Sequence, residues 1–150
     1  FRKNLWYSAY GEGWALYTES LGKELGLYED PYQYFGMLAA EMHRAIRLVV
    51  DTGMHSKGWT REQAITYSLE NESESEVKIT SEIERYMANP GQALSYKIGQ
   101  LKIRELRSKA EESLGDRFDI RDFHREVLES GCIPLALLEK KINHWIETQN

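Results

Sequence analysis

Two glutamates have the types and spacing for chemistry: Glu12 and Glu19, at the ends of Glu12-Gly13-Trp14-Ala15-Leu16-Tyr17-Thr18-Glu19. On a helix of 3.6 residues per turn, a separation of seven leaves them about 20° short of two full turns and about 10.5 Å apart along the axis. Both carboxylates then point the same way. Their neighbours are Trp, Ala, Leu and Tyr, not lysines, so the face they share is partly buried. A buried carboxylate needs a cation, a metal or a hydrogen-bond donor. A structural ion pair is the ordinary answer, and metal ligation is the chemical one.

A second set of polar residues stands in apolar or glycine-rich surroundings: Arg44, Arg47, Asp51, His55, Gln92, Tyr96 and Lys97. Arg44, Arg47 and Asp51 share one helical stripe. Intrahelical pairs Glu41–Arg44 and Arg47–Asp51, worth a few tenths of a kcal/mol, account for them most simply. His55 follows a helix end in a short loop, and Tyr96 fits an amphipathic core position. His124 and His144 fall on charged faces and read as solvated. None of His43, His55, His124 or His144 has a glutamate three residues before it, which excludes a di-iron bundle built on Glu-x-x-His pairs. There is also no His-Glu-x-x-His, no Gly-rich phosphate loop and no Gly-x-Ser-x-Gly.

The elements that must position these residues are all helices. The alternation that marks strands is missing, and no internal repeat is evident. Trp14, Tyr17, Leu21 and Leu25 recur at helical spacing. Gly26 to Glu29 connects to Asp30-Pro31, an N-cap followed by a first-turn proline. A long, well-buried helix follows, with Phe35, Leu38, Ala39, Met42, Ile46, Val49 and Val50 inward. It is expected to end near Thr52 with Gly53 as its stop, leaving Met54 to Trp59 as a loop. Thr60-Arg61-Glu62-Gln63 is a capping box opening a short helix through Leu69. Asn71 to Ser75 reads as a turn. Glu76 to Met87 is a helix with Ile79, Ile83, Tyr86 and Met87 inward. Asn89-Pro90 reads as the cap of a helix from Gly91 to about Leu114, closed by Gly115. Phe118 and Phe123 staple an N-cap at Asp119, starting a helix to about Ser130. A last helix starts at Pro134. The expectation is one all-α domain over 1–150, a bundle of about seven helices.

Composition narrows the partners. The 150 residues carry 19 Lys and Arg against 24 Asp and Glu, a net charge of −5. That balance disfavours nucleic acid and anionic membranes. No apolar run has membrane-spanning length. A single cysteine, Cys132, excludes an internal disulfide framework and a multi-cysteine metal site. The chain starts at Phe1, not Met, and reads as a fragment of a longer protein. A signal peptide would then lie upstream.

The run Glu12 to Glu19 resembles the "EGWALYxE" signature of a bacterial family catalogued as domain of unknown function 885. Three further stretches agree in order: Arg44 to His55 (RAIRLVVDTGMH), Trp59 to Ala64 (WTREQA) and Pro90 to Gly99 (PGQALSYKIG). The resemblance extends from about Gly11 to Trp145. That family is similar to gluzincin-type zinc metallopeptidases with a largely helical fold, whose members carry a His-Glu segment upstream of this helix. The resemblance implies that this chain is the C-terminal part of such a fold. It implies a zinc site of two upstream histidines and one downstream glutamate, with the glutamate beside the first histidine as general base.

Carried over, Glu12 becomes the third zinc ligand and Glu19 orients a ligand histidine through its free ring N–H. Tyr96 and His55 become candidates for stabilising an oxyanion or holding a substrate carbonyl. Gln92, Lys97 and Arg44 become candidates for contacting a peptide substrate. The upstream half of the same protein is an implied partner, and an exported or cell-envelope location is the implied compartment. The histidines and the general base are missing from these residues, so the chain alone is expected to be metal-free and inactive. The apolar surface meant for the upstream half should be exposed or buried in a homodimer. The competing reading is a non-catalytic helical interaction or ligand-binding module, with Glu12 and Glu19 in ion pairs to Arg44 or Arg47.

Overall fold

The computed structural model describes residues 5–149. Among them are seven α-helices and no strand: α1 (Ser8–Glu24), α2 (Pro31–Ser56), α3 (Arg61–Asn71), α4 (Glu76–Ala88), α5 (Ser95–Leu114), α6 (Ile120–Leu128) and α7 (Leu135–Gln149). The all-α bundle expected from periodicity is what forms. Among the described residues, no helix is long and apolar enough to cross a membrane.

The helix starts follow the local chemistry. Asp30 accepts from the Tyr32 amide at 2.7 Å and forms a reciprocal capping box with Gln33. Thr60 and Gln63 form a second box, and Asp119 accepts from the Arg121 amide at 2.7 Å. Each cap satisfies amides that the helix itself leaves open. Phe118 and Phe123 close over the Asp119 cap with their rings 6.2 Å apart.

Two helix boundaries differ from the expectation by more than two residues. α2 does not stop at Gly53 but runs to Ser56, so Met54 and His55 are helical. A Cβ on Gly53 would sit 2.6 Å from the Trp59 ring. Gly53 is there to admit that indole, and the chain turns at Gly58, whose φ is +72°. Asn89 does not open a helix; it ends α4. Gly91, at φ +81°, breaks the path, and a short 3-10 turn, Gln92–Leu94, leads into α5.

The core has two parts. Tyr10 and Tyr17 of α1, Ile103, Leu106 and Ala110 of α5, Phe123 and Val127 of α6, and Leu138, Ile142 and Ile146 of α7 form the larger. Ile46 and Val50 of α2, Ala64 of α3, Ile79, Ile83 and Tyr86 of α4, and Ala93 form the smaller. α1 and α5 run side by side in the same direction, pairing Gly13 with Gly99 near one end and Glu24 with Arg107 near the other. Gln100, 1% exposed, seals this seam by donating to the Leu16 carbonyl at 3.2 Å.

The burial of α2 is corrected in its first half. Phe35, Leu38 and Met42 are exposed, although Ile46 and Val50 are sealed. Met87, expected inward, is also exposed. Periodicity identifies an apolar face, but a neighbouring element must exist to cover it.

Candidate functional site

Of the three glutamates on α1, Glu12 alone lacks a charged or hydrogen-bonding partner among the described residues. Glu24 accepts from Nη1 and Nη2 of Arg107, each at 2.8 Å, and Glu19 lies 3.7 Å from Arg44 Nη2. Glu12 is half-buried, one residue before the glycine that lets α1 meet α5. Close packing fixes that backbone and leaves the carboxylate uncommitted.

Arg44 donates to the Ala40 carbonyl at 2.9 Å, and its Nε–H is buried with no partner among the described residues. Its simple intrahelical pairing with Glu41 does not form. Glu41 instead accepts from Lys97 at 2.6 Å and from Arg104 at 3.4 Å, both on α5. Lys97 also donates to Gln100 at 2.8 Å. Gln92 accepts from Arg85 at 2.8 Å. His55, on the last turn of α2, is exposed, and its Nε2–H donates to the Tyr86 carbonyl at 3.1 Å. Tyr96 is half-buried, with the Arg47 guanidinium 5.0 Å from its ring centre. No hydrogen bond involves its hydroxyl among the described residues. Glu12 and Tyr96 lie toward the same end of the α1–α5 seam, one residue before Gly13 and three before Gly99 respectively. No hydrogen bond or ion pair joins Glu12, His55 and Tyr96 to one another among the described residues.

The predicted Arg47–Asp51 pair is also replaced. Asp51, 2% exposed, takes the Gly91 amide on both oxygens at 3.2 and 3.1 Å. This fastens α2 to the turn before α5. Arg47 turns the other way, to Glu82 at 2.9 Å, the Tyr86 hydroxyl at 2.8 Å and His43 Nε2 at 3.2 Å. His43, 7% exposed, is tied through Nδ1 to Glu72. Hydrogen bonds from Arg85 and Tyr86, with the nearby Arg85 and Arg47 charges, outweigh burial and hold the Glu82 carboxyl at about 2. Burial and the bond to Glu82 push the Tyr86 phenol well above its usual value. Single-residue inspection missed this network. The available signal was that His43 continues the buried stripe of Ile46, Val50 and Gly53.

His124 is not solvated. Its Nε2 meets the Tyr17 hydroxyl at 2.9 Å, and the Trp14 ring stands edge-on at 5.2 Å. Tyr17 also takes Arg107 Nη1 at 3.3 Å, beside a cleft of about 520 Å³ between α1, α2 and α5. Burial, then the Arg107 charge, lowers the His124 pKa below its ordinary 6.5. The imidazole should therefore stay neutral to a lower pH than a free histidine, as followed by NMR titration. A folded-state value below the unfolded one makes this a contribution to stability present above about pH 6.5 and lost on acidification. Titration at or above 6.5 would contradict the buried placement.

Among the described residues, no three of His, Cys, Asp and Glu gather closely enough to hold a metal ion. The donor set therefore does not make a zinc site by itself, since zinc takes at least three protein ligands. Glu12 has the chemistry of one arm of such a site.

The family description "Bacterial protein of unknown function (DUF885)" matches residues 1–142. The fold is also similar to the crystal structure of "the putative lipoprotein from Colwellia psychrerythraea", at 55% identity and a TM-score of 0.92 over 95% of this chain. This chain spans 24% of that protein's length. No curated protein matches the chain. With 142 of 150 residues covered by the family description, the chain belongs to the bacterial DUF885 family.

Proposed function

We propose that this chain is the C-terminal part of a longer, zinc-dependent, peptidase-like hydrolase, to which it contributes Glu12 as a metal ligand. The observation that carries the reading is the half-buried Glu12 carboxylate, without a partner among the described residues on a helix whose other two glutamates face arginines. Bound zinc would supply a Lewis acid and an activated water. The remaining ligands would come from the upstream His-Glu segment. Within this chain, Glu19 with Arg44 would brace the ligand helix, and the accessible part of the Arg44 guanidinium would meet a peptide carboxylate. Tyr96 would offer its hydroxyl to an oxyanion, with Arg47 against its ring. His55, Gln92 and Lys97 would need to leave their present partners to touch a substrate. Its similarity to a protein described as a lipoprotein supports a cell-envelope location.

The test is elemental analysis of the intact protein beside a Glu12→Gln variant. About one zinc per chain in the parent, lost in a variant with an unchanged circular-dichroism spectrum, is expected. Zinc retained by the variant would remove Glu12 from the ligand set. The helical-module reading has one specific observation in its favour, the Glu19–Arg44 pair at 3.7 Å. Absence of zinc from the parent after reconstitution would make it the better account.

A further inference from the structure

α2 carries an apolar stripe of which this chain covers only half. Phe35, Ala39, Met42, Ile46, Val50 and Gly53 follow one another at helical spacing. From Ile46 onward the stripe is sealed by Ala64, Ile79, Ile83 and Tyr86, leaving Ile46 4% and Val50 0% exposed. In the turns before it the stripe is open, with Phe35 64%, Leu38 42% and Met42 52% exposed. The open part is also concave. Asn71, the last residue of α3, and residues 72–74 after it wall off a groove of about 340 Å³ floored by Phe35, Leu38, Ala39 and Met42.

The spacing says what shape fits. Leu38, Met42 and the edge residue Val49 stand three, seven and fourteen residues after Phe35, the pattern of positions a and d in successive heptads. They extend for about 21 Å of helix. Such a seam takes the apolar side of another helix, knobs into holes. A contiguous apolar surface of this kind is uncommon on a monomer unless something binds it.

We propose that this groove seats an amphipathic helix of the same polypeptide, contributed from outside residues 1–150. The similar Colwellia psychrerythraea protein keeps this fold within a chain of which it forms only 24%. The larger remainder must pack somewhere, and a tethered helix reaches the groove at far higher effective concentration than a second molecule does. The inference shares with the proposed function only the longer polypeptide, and it asks nothing of the metal.

The test places a photo-crosslinker at Phe35 (Phe35→p-benzoylphenylalanine) in the intact protein, with Leu137 on α7, 51% exposed, as the control position. After irradiation and digestion, the expected product links residue 35 to a peptide outside residues 1–150 within one polypeptide, and it forms with or without zinc retained. Adducts to residues 1–150 of a second chain, with a dimer band, would overturn the proposal. So would a yield from Phe35 no higher than from Leu137. As a second readout, Met42→Glu is expected to lower the melting midpoint of the intact protein by several degrees while Leu137→Glu leaves it in place. Equal shifts would count against the groove being covered.

Discussion

Gly99→Ala is expected to be the most damaging small substitution in this protein. A Cβ at Gly99 would lie 1.8 Å from the Ala9 carbonyl oxygen and 2.6 Å from the Gly13 Cα. Both are backbone atoms of α1, so no side chain can rotate away. α1 and α5 must separate, and their separation opens the larger core around Tyr17, Ile103 and Leu106. Overpacking ordinarily costs about 1–3 kcal/mol, and a clash between two backbones belongs above that range. The expected loss is more than about 3 kcal/mol, or upwards of about 6 °C in melting midpoint for a chain of this size. Gly36→Ala is the matched control. Gly36 is exposed on α2, with nothing within 4 Å of its would-be Cβ. Removing a helical glycine there should stabilise by about 0.5–1 kcal/mol. Denaturant midpoints of the two variants decide the matter. A Gly99→Ala loss below about 1 kcal/mol would mean the helices do not meet at these glycines.

The second large effect is expected at Arg47. Its side chain is 11% exposed and joins Glu82, Tyr86 and His43. Arg47→Met keeps much of the volume but leaves His43 and the Tyr86 hydroxyl one partner short. Removing one member of a buried pair typically costs about 3–5 kcal/mol. The lower end applies, because Arg85 still holds Glu82 at 3.0 and 2.9 Å. Adding Glu82→Gln should cost less than the sum of the two single changes, since the pair shares one network. The pH dependence follows from the same geometry. The Glu82 carboxyl is held at about 2 against an ordinary 4.5. A carboxyl depressed in the folded state contributes stability that is complete above the ordinary value and lost as pH falls toward 2. Urea midpoints measured from neutral pH to about 2 should fall across that window in the parent and more shallowly in Arg47→Met. Parallel curves would show that Arg47 does not contribute to the shift.

The two effects differ in how visible they were in the sequence. Gly99 gave no sign of its role, because a glycine contacts nothing with a side chain and its partners lie far away on α1. Arg47 did stand out, but next to the wrong partner. An intrahelical Asp51 four residues away is the nearest choice in sequence. The structure sends Arg47 to α4 and Asp51 to the Gly91 amide because each bond then satisfies a buried group that has no access to water.

Local chemistry is what the chain spells out by itself. The caps at Asp30, Thr60 and Asp119, the helical spacing of apolar residues, and the signature from Glu12 to Glu19 depend only on neighbours within a few positions. They sufficed for an all-α fold, seven helices and the family. Tertiary structure decided the rest. It routed α2 through Gly53, set His124 against Tyr17, joined His43 to Glu72, and left Glu12 without a partner among the described residues. It also left Phe35, Leu38 and Met42 in the open. The physical reason is common to all of these. Helix periodicity says which face is apolar and which residues are charged, but the partner of a buried charge, or the cover of an apolar face, is chosen by elements distant in sequence.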